Sequence, residues 1–211
     1  MLRKDIREFL NTIPKDITLV AATKYVDVFI MKDMLKAGIN NFGENRVDSF
    51  INKYELLKNE KNVVWHFIGH LQRNKAKDVI NRIDYLHSLD SLELAKTIEN
   101  YRISKLKVFV EISINLEKNK NGVPYFEAEE FINNLKQFQK IEVVGLMMMA
   151  DLNHEDAKNQ FHKLKELRED LEKKCQIKLP YLSMGMSEDY LQAIEEGATH
   201  IRLGRILYSD N

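Results

Sequence analysis

The sequence predicts an α/β fold: a single (β/α)8 barrel of TIM type with an extra N-terminal helix, spanning residues 1–211 as one domain. Three observations lead there. About eight short apolar runs alternate with helix-spaced amphipathic stretches, the pattern of parallel strands joined by helical crossovers. A length of 211 residues suits one barrel better than two domains. No linker, low-complexity stretch or internal repeat breaks the alternation. An open doubly wound sheet is the alternative, but eight units exceed what most such sheets use.

Each element can be justified in turn. Leu2, Ile6, Phe9, Leu10 and Ile13 recur at helical spacing, while Arg3, Lys4, Asp5, Arg7 and Glu8 break any apolar core, so the opening reads as a helix and not a signal peptide. Leu19-Val20-Ala21-Ala22 is a small-apolar run of the kind buried on both faces, and Thr23 and Lys24 end it. Asp27 to Ala37 is an amphipathic helix stopped by Gly38. A strand ending at Asn41-Phe42-Gly43-Glu44-Asn45 leads to a helix through about Leu57, and Val63 to Ile68 is the third strand. Gly69-His70-Leu71-Gln72-Arg73-Asn74-Lys75 opens the next helix, and Tyr85 to Leu89 is the fourth strand. Asp90 and Ser91 offer caps to a helix reaching about Ile103.

Lys107 to Ile114, rich in Val, Ile and Phe, is the fifth strand. After a polar turn from Asn115 to Gly122 come a helix from Pro124 to Gln139 and a sixth strand, Ile141 to Met149, with Gly145 inside it. His154 to Lys174 is the longest helix, with Phe161, Leu164, Leu167 and Leu171 as its core stripe. Leu179 to Met184, a helix from Ser187 to Glu196 stopped by Gly197, and Thr199 to Leu203 complete the count.

Composition excludes several classes. Hydrophobic residues make up 44% and charged residues 30%, an ordinary globular balance. Thirty-two basic side chains offset thirty-two acidic ones, so no global field draws in nucleic acid or anionic membrane. Cys175 is the only cysteine, which excludes an internal disulfide and fits a reducing compartment. No apolar run is long enough to span a bilayer, and the expected location is cytoplasmic.

Barrels of this kind carry their sites at the C-terminal ends of the strands. Lys24, Asn45, His66 to His70, Ser88, Glu111 to Asn115, Met147 to Met149, Ser183 to Ser187 and Arg202 to Arg205 are therefore expected around one mouth. Lys24 stands where desolvation would favour the neutral amine that condenses with an aldehyde, although most lysines are simply solvated. The loops after the last two strands, Ser183-Met184-Gly185-Met186-Ser187 and Arg202-Leu203-Gly204-Arg205, lie where barrels cradle phosphate. Ser187, at an expected helix start, would meet an anion with backbone N–H groups, or would only cap the helix. Gly204 has no Cβ to hinder a close approach. A lysine nucleophile and a phosphate cradle suit an aldehyde bearing a phosphate, a description that pyridoxal 5′-phosphate and the substrates of phosphosugar aldolases both meet.

The order of Leu19-Val20-Ala21-Ala22-Thr23-Lys24, Asn41-Phe42-Gly43-Glu44-Asn45, Trp65-His66-Phe67-Ile68-Gly69-His70-Leu71-Gln72-Arg73-Asn74-Lys75, His87-Ser88-Leu89-Asp90, Gly145-Leu146-Met147, Leu182-Ser183-Met184-Gly185-Met186-Ser187 and Arg202-Leu203-Gly204 resembles the pyridoxal phosphate homeostasis protein family, also called the proline-synthase co-transcribed family. That family is similar to the N-terminal barrel of bacterial alanine racemase. The resemblance runs nearly end to end and implies a non-catalytic protein that buffers or delivers pyridoxal 5′-phosphate. By position it implies a Schiff base on Lys24, Asn45 beside the cofactor ring and Arg202 at the pyridine nitrogen. Ser187 and the backbone around Met186, Gly204 and Arg205 would hold the phosphate. Two positions depart from the family pattern. Arg205 stands where a small hydroxyl residue is usual, and Arg46 where an aromatic is common.

Other features read as structural. His66 and His70 straddle a strand end, not one helical face, and make no zinc pattern. Met147-Met148-Met149 is read as barrel filling and cavity wall, and Lys118 and Lys120 as a solvated loop in which Lys120 and Gly122 hint at a lid. Cys175 has no base beside it. The competing functional class is a pyridoxal-phosphate-dependent racemase on the same barrel. A racemase needs acid and base groups on both faces of the substrate carbon, and the two-domain enzymes take one from a C-terminal domain; the sequence ends seven residues after Gly204. Arg202 also disfavours carbanion chemistry, because a guanidinium does not hand its proton to the pyridine nitrogen. The expected partners are the small-molecule cofactor and pyridoxal-phosphate-dependent apoenzymes, with no nucleic acid and no membrane, and the expected state is a monomer.

Overall fold

A computed structural model describes residues 1–114, 121–151 and 156–208 of the chain. Among the described residues nine strands lie in order β1 (Thr18–Ala22), β2 (Asn41–Glu44), β3 (Val64–Phe67), β4 (Tyr85–Leu89), β5 (Leu106–Ser113), β6 (Val123–Pro124), β7 (Ile141–Met147), β8 (Tyr181–Ser183) and β9 (His200–Leu203). Eight of them form the sheet order β4-β3-β2-β1-β9-β8-β7-β5, and β5 returns to β4, so the parallel sheet closes on itself as the predicted barrel. The two-residue β6 pairs only with β5 and stands outside the closed ring.

Helices α1 (Ile6–Thr12), α2 (Val28–Lys36), α3 (Val47–Leu57), α4 (Arg73–Val79), α5 (Leu92–Tyr101), α6 (Ala128–Leu135), α7 (Ala157–Cys175) and α8 (Tyr190–Glu195) surround the sheet. α2 shows why: Asp27 caps it by accepting from Ile30 N, Met31 and Met34 face the core, and Gly38 leaves it at φ +94°. That left-handed turn favours glycine. α1 is the extra helix, and the chain before it is tied to the far end of the sequence. Arg3 N donates to Leu207 O at 3.1 Å, and Phe9 meets Tyr190 edge-on with centroids 6.2 Å apart.

The structure revises several expected boundaries. The region from Pro124 splits into a 3-10 turn, Tyr125–Glu127, and α6. Ser91 occupies the N-cap of α5 without a capping side-chain bond. The last helix begins at Tyr190, after a turn through Ser187, Glu188 and Asp189, so Ser187 neither opens nor caps it. His154, Lys118, Lys120 and the polar turn through residue 120 lie outside the described residues.

Two cores result. Phe42, Phe50, Phe67, Leu86, Phe161 and Leu164 are buried in the apolar core cluster between sheet and helices. Inside the barrel stands a different set: rings of His66, Tyr85, His87, Phe109, Tyr181 and His200, from five strands, in mutual contact. His66 stacks on Tyr85 with centroids 4.7 Å apart, and His87 on Phe109 at 4.4 Å. Gly145 pairs with Tyr181, and a Cβ at Gly145 would collide with the Tyr181 carbonyl. Among the described residues no helix is long and apolar enough to cross a membrane.

Candidate functional site

The site is built where the first and last barrel strands meet. β1 and β9 pair in register, with Val20 opposite Arg202 and Ala21 opposite Leu203, so the exits carrying Lys24 and Gly204 are neighbours. Lys24 lies in the turn after β1 and is exposed, its Nζ 4.7 Å from the Tyr25 ring centroid. The desolvation expected of a strand exit therefore does not surround this amine. What holds its turn is a buried ion pair below it. Lys53 Nζ donates to Glu44 Oε1 and to Thr23 O, each at 2.6 Å, and Thr23 Oγ1 donates to the same carboxylate oxygen at 2.6 Å. Thr23 and Glu44 are fully buried. The backbone immediately before Lys24 is thus clamped, while its side chain lies exposed.

Arg202 is the buried cation of the site. Nη1 donates to Ser183 O and Ser183 Oγ at 2.8 and 2.7 Å, and Nη2 donates to Met148 O at 2.9 Å. Burial pulls the guanidinium down to about 10, with Glu111 and Asp189 opposing, so it stays charged at neutral pH. Glu111 is itself pushed up to about 7 by burial, with the Asp90 charge adding and Arg202 opposing. Sequence reading placed Glu111 at the mouth only as part of a span; its burial beside a cation was not legible.

The two loops expected to cradle an anion touch each other. Gly204 N donates to Ser187 Oγ at 3.3 Å, which joins the turn after β8 to the turn after β9. Met186 N donates to Asp189 Oδ1 at 2.5 Å, so an anion at that N–H would have to displace a carboxylate. Gly204 has φ −120°, and a Cβ there would make only ordinary contact with Ala22, so the fold itself does not require glycine at this position. Arg205 is exposed and pairs with Glu188 at 2.7 Å.

Asn45 follows β2, with its backbone against Gly69, and its Oδ1 is buried without a hydrogen-bond partner. Arg46 is exposed and stands at the N-cap of α3. Of the methionines read as filling, Met147 packs on Phe109 inside the barrel, Met148 joins the outer core and Met149 is exposed. Cys175 is buried and free, and burial raises its thiol. Among the described residues no cluster of His, Cys, Asp and Glu could hold a metal ion.

Sequence reading missed the interior polar column. His66 Nδ1 lies 2.9 Å from His87 Nε2, His87 Nδ1 lies 2.8 Å from Ser183 Oγ, and His66 Nε2 lies 3.0 Å from Asn41 Oδ1. Burial lowers both imidazoles well below the usual histidine range, so they are neutral. The period-2 alternation of His66, His87, Ser183 and Arg202 with outward apolar neighbours was the available signal.

An amine at one strand exit, a buried guanidinium on the adjacent strand and two hydrogen-bonded loops thus stand at one mouth of a closed parallel barrel. Residues 2–211 match the family described as alanine racemase, N-terminal domain. Within that group of barrels, the chain belongs to the pyridoxal phosphate homeostasis protein family. It is 37% identical over 197 residues to the pyridoxal phosphate homeostasis protein of Aquifex aeolicus, covering 91% of this chain and 86% of that protein. It is 35% identical over 209 residues to the protein of the same name in Synechocystis, covering 96% and 95%. The solved structure of PipY from Synechococcus elongatus with PLP bound superposes with a TM-score of 0.88 at 30% identity, covering 97% of this chain and all of that one.

Proposed function

We propose that this chain binds pyridoxal 5′-phosphate, linked to Lys24, and buffers it or delivers it to pyridoxal-phosphate-dependent apoenzymes without turnover of its own. In this reading residues 1–211 act as one cytoplasmic, monomeric domain. The observation that carries it is the buried, triply bonded Arg202 on the strand beside the one that ends at Lys24. When bound, the cofactor supplies an aldehyde that an amine can condense with as a Schiff base and a ring nitrogen that can accept a hydrogen bond.

The residues present suit that group. Asn45 Oδ1 is an orphaned buried acceptor beside the mouth, and the chemistry of Lys24, Arg202 and Ser187 matches an aldehyde, a ring nitrogen and a phosphate. Lys24 would be the covalent anchor, and its exposure leaves it free to swing. Arg202 would donate to the ring nitrogen without surrendering a proton, which leaves the ring a weak electron sink. That property supports holding over catalysis. Ser187 and the backbone at Met186, Gly204 and Arg205 would bind phosphate, with Asp189 turning aside from Met186 N and Arg205 leaving Glu188.

Borohydride reduction of protein incubated with pyridoxal 5′-phosphate, followed by peptide mass spectrometry, should place a pyridoxyl group on Lys24. The Lys24→Ala variant should lose the covalent product. A label on Lys75 or Lys53 would overturn the assignment. Robust Lys24-dependent deuterium exchange at the α-carbon of amino acids would replace the carrier reading with the racemase one.

A further inference from the structure

We infer that Ser183 and His87 are positioning residues for Arg202, acting through a hydrogen-bonded column of single proton order that ends at Asn41; this rests on the pyridoxal phosphate reading above. The order follows from the Asn41 end. Asn41 Nδ2 donates to Asn40 Oδ1 at 3.0 Å, which leaves Asn41 Oδ1 as the acceptor toward His66. His66 Nε2, 3.0 Å from that oxygen, therefore carries the proton and donates. A neutral His66 then accepts at Nδ1 from His87 Nε2 at 2.9 Å. A neutral His87 in turn has a bare Nδ1, which accepts from Ser183 Oγ at 2.8 Å. A guanidinium can only donate, so Ser183 Oγ accepts from Arg202 Nη1 at 2.7 Å while its own proton goes to His87.

Each group in the column has one role. Every ring is also pinned by packing, His66 on Tyr85 and His87 on Phe109. The consequence is a fixed serine hydroxyl, and with it a fixed guanidinium rotamer. Three of the five N–H bonds of Arg202 are committed to Ser183 O, Ser183 Oγ and Met148 O, which leaves two uncommitted among the described residues. The column thus selects which edge of the guanidinium faces the cofactor ring. Satisfying buried polar groups alone would need no such link between the histidines and the cofactor, and this difference can be measured.

Ser183→Ala and His87→Leu should each weaken pyridoxal 5′-phosphate binding about tenfold. Neither should change binding of the 1-deaza analogue, in which C–H replaces the ring nitrogen and the Arg202 contact is lost in every protein. Nitrogen-15 NMR of the wild-type protein should show His66 and His87 both protonated on Nε2. Equal losses for cofactor and analogue, or an Nδ1-protonated tautomer at His87, would overturn the inference. If the wild-type chain binds neither compound, the cofactor reading fails, and the tautomers still test the column. If one variant fails to fold, the other carries the comparison.

Discussion

A single nitrogen of Arg202, Nη1, bonds both the main-chain and the side-chain oxygen of Ser183, at 2.8 and 2.7 Å. The second nitrogen reaches across to Met148 O at 2.9 Å. This planar fork ties the exit of β8 to the segment after β7 from a position on β9. Arg202→Lys offers one ammonium where three acceptors need a fork, and should leave at least one buried carbonyl unpaired. A loss of about 1–3 kcal/mol is expected in urea unfolding, with weakened cofactor binding; an unchanged unfolding midpoint would refute it.

The clamp below Lys24 should be as sensitive. Glu44 is fully buried and its Oε2 has no partner, so removing Lys53 strands a charge. Lys53→Met should cost about 3–5 kcal/mol, and adding Glu44→Gln should restore part of it. Chemical denaturation of the two variants measures both numbers. A double variant no more stable than the single one would show that the pair is not coupled.

Acid should unfold this barrel through its interior. Burial lowers His66 and His87 well below the ordinary range and His200 to about 4. Above about pH 6.5 the histidines are neutral in both states, and their contribution is intact. As the pH falls below 6.5 the unfolded chain takes up protons that the folded one refuses, so stability drops until the folded values are passed. Proton uptake on unfolding at pH 5 should approach three from these residues, measurable from the slope of stability against pH.

Glu111 acts in the opposite sense. Its carboxyl is raised to about 7, so it costs nothing below the unfolded value near 4.5, and the penalty grows until the pH passes 7. Glu111→Gln should therefore stabilise the chain more at pH 8.5 than at pH 4.5, by up to about 3 kcal/mol. Melting temperatures at the two pH values provide the check. Equal shifts would mean that Glu111 does not titrate in this range.

Gly145 tests the close approach of strands. Because a Cβ there would collide with the Tyr181 carbonyl, backbone must move to admit alanine. Gly145→Ala should destabilise by about 2 kcal/mol or more, despite the higher strand preference of alanine. A neutral result would show that β8 can shift at little cost.

Much of the barrel was legible because its signals are local. The runs of β1, β4 and β5 and the Gly38 stop each belong to a short stretch of chain, and each stands within a residue of where it is expected. The departures lie in hydrogen bonds and packing that residue spacing does not display. Nothing near Ser187 says that helix α8 waits until Tyr190, because Asp189 turns back to bond Met186 N and holds the chain in a turn first. The clustering at the mouth followed from the fold, but the inward chemistry did not. The alternation places His66 on the inward face of its strand, but which rings it meets depends on its register against Tyr85, which no local pattern specifies. The exposure of Lys24 is likewise set by how the turn after β1 leaves the barrel, which the apolar run before it does not specify.

The pairing of β1 with β9 has a kinetic consequence. Tyr208 Oη closes on Ala22 O across 186 residues of chain, and the strands carrying Lys24 and Arg202 meet at that same seam. Contacts of such sequence separation form late, because a large loop must be closed before they repay its entropy. The contacts that bring Lys24 beside Arg202 are therefore expected to form late in folding. A bound molecule held by groups on both sides of this seam would be let go by any partial opening that parts it, before the rest of the fold is lost.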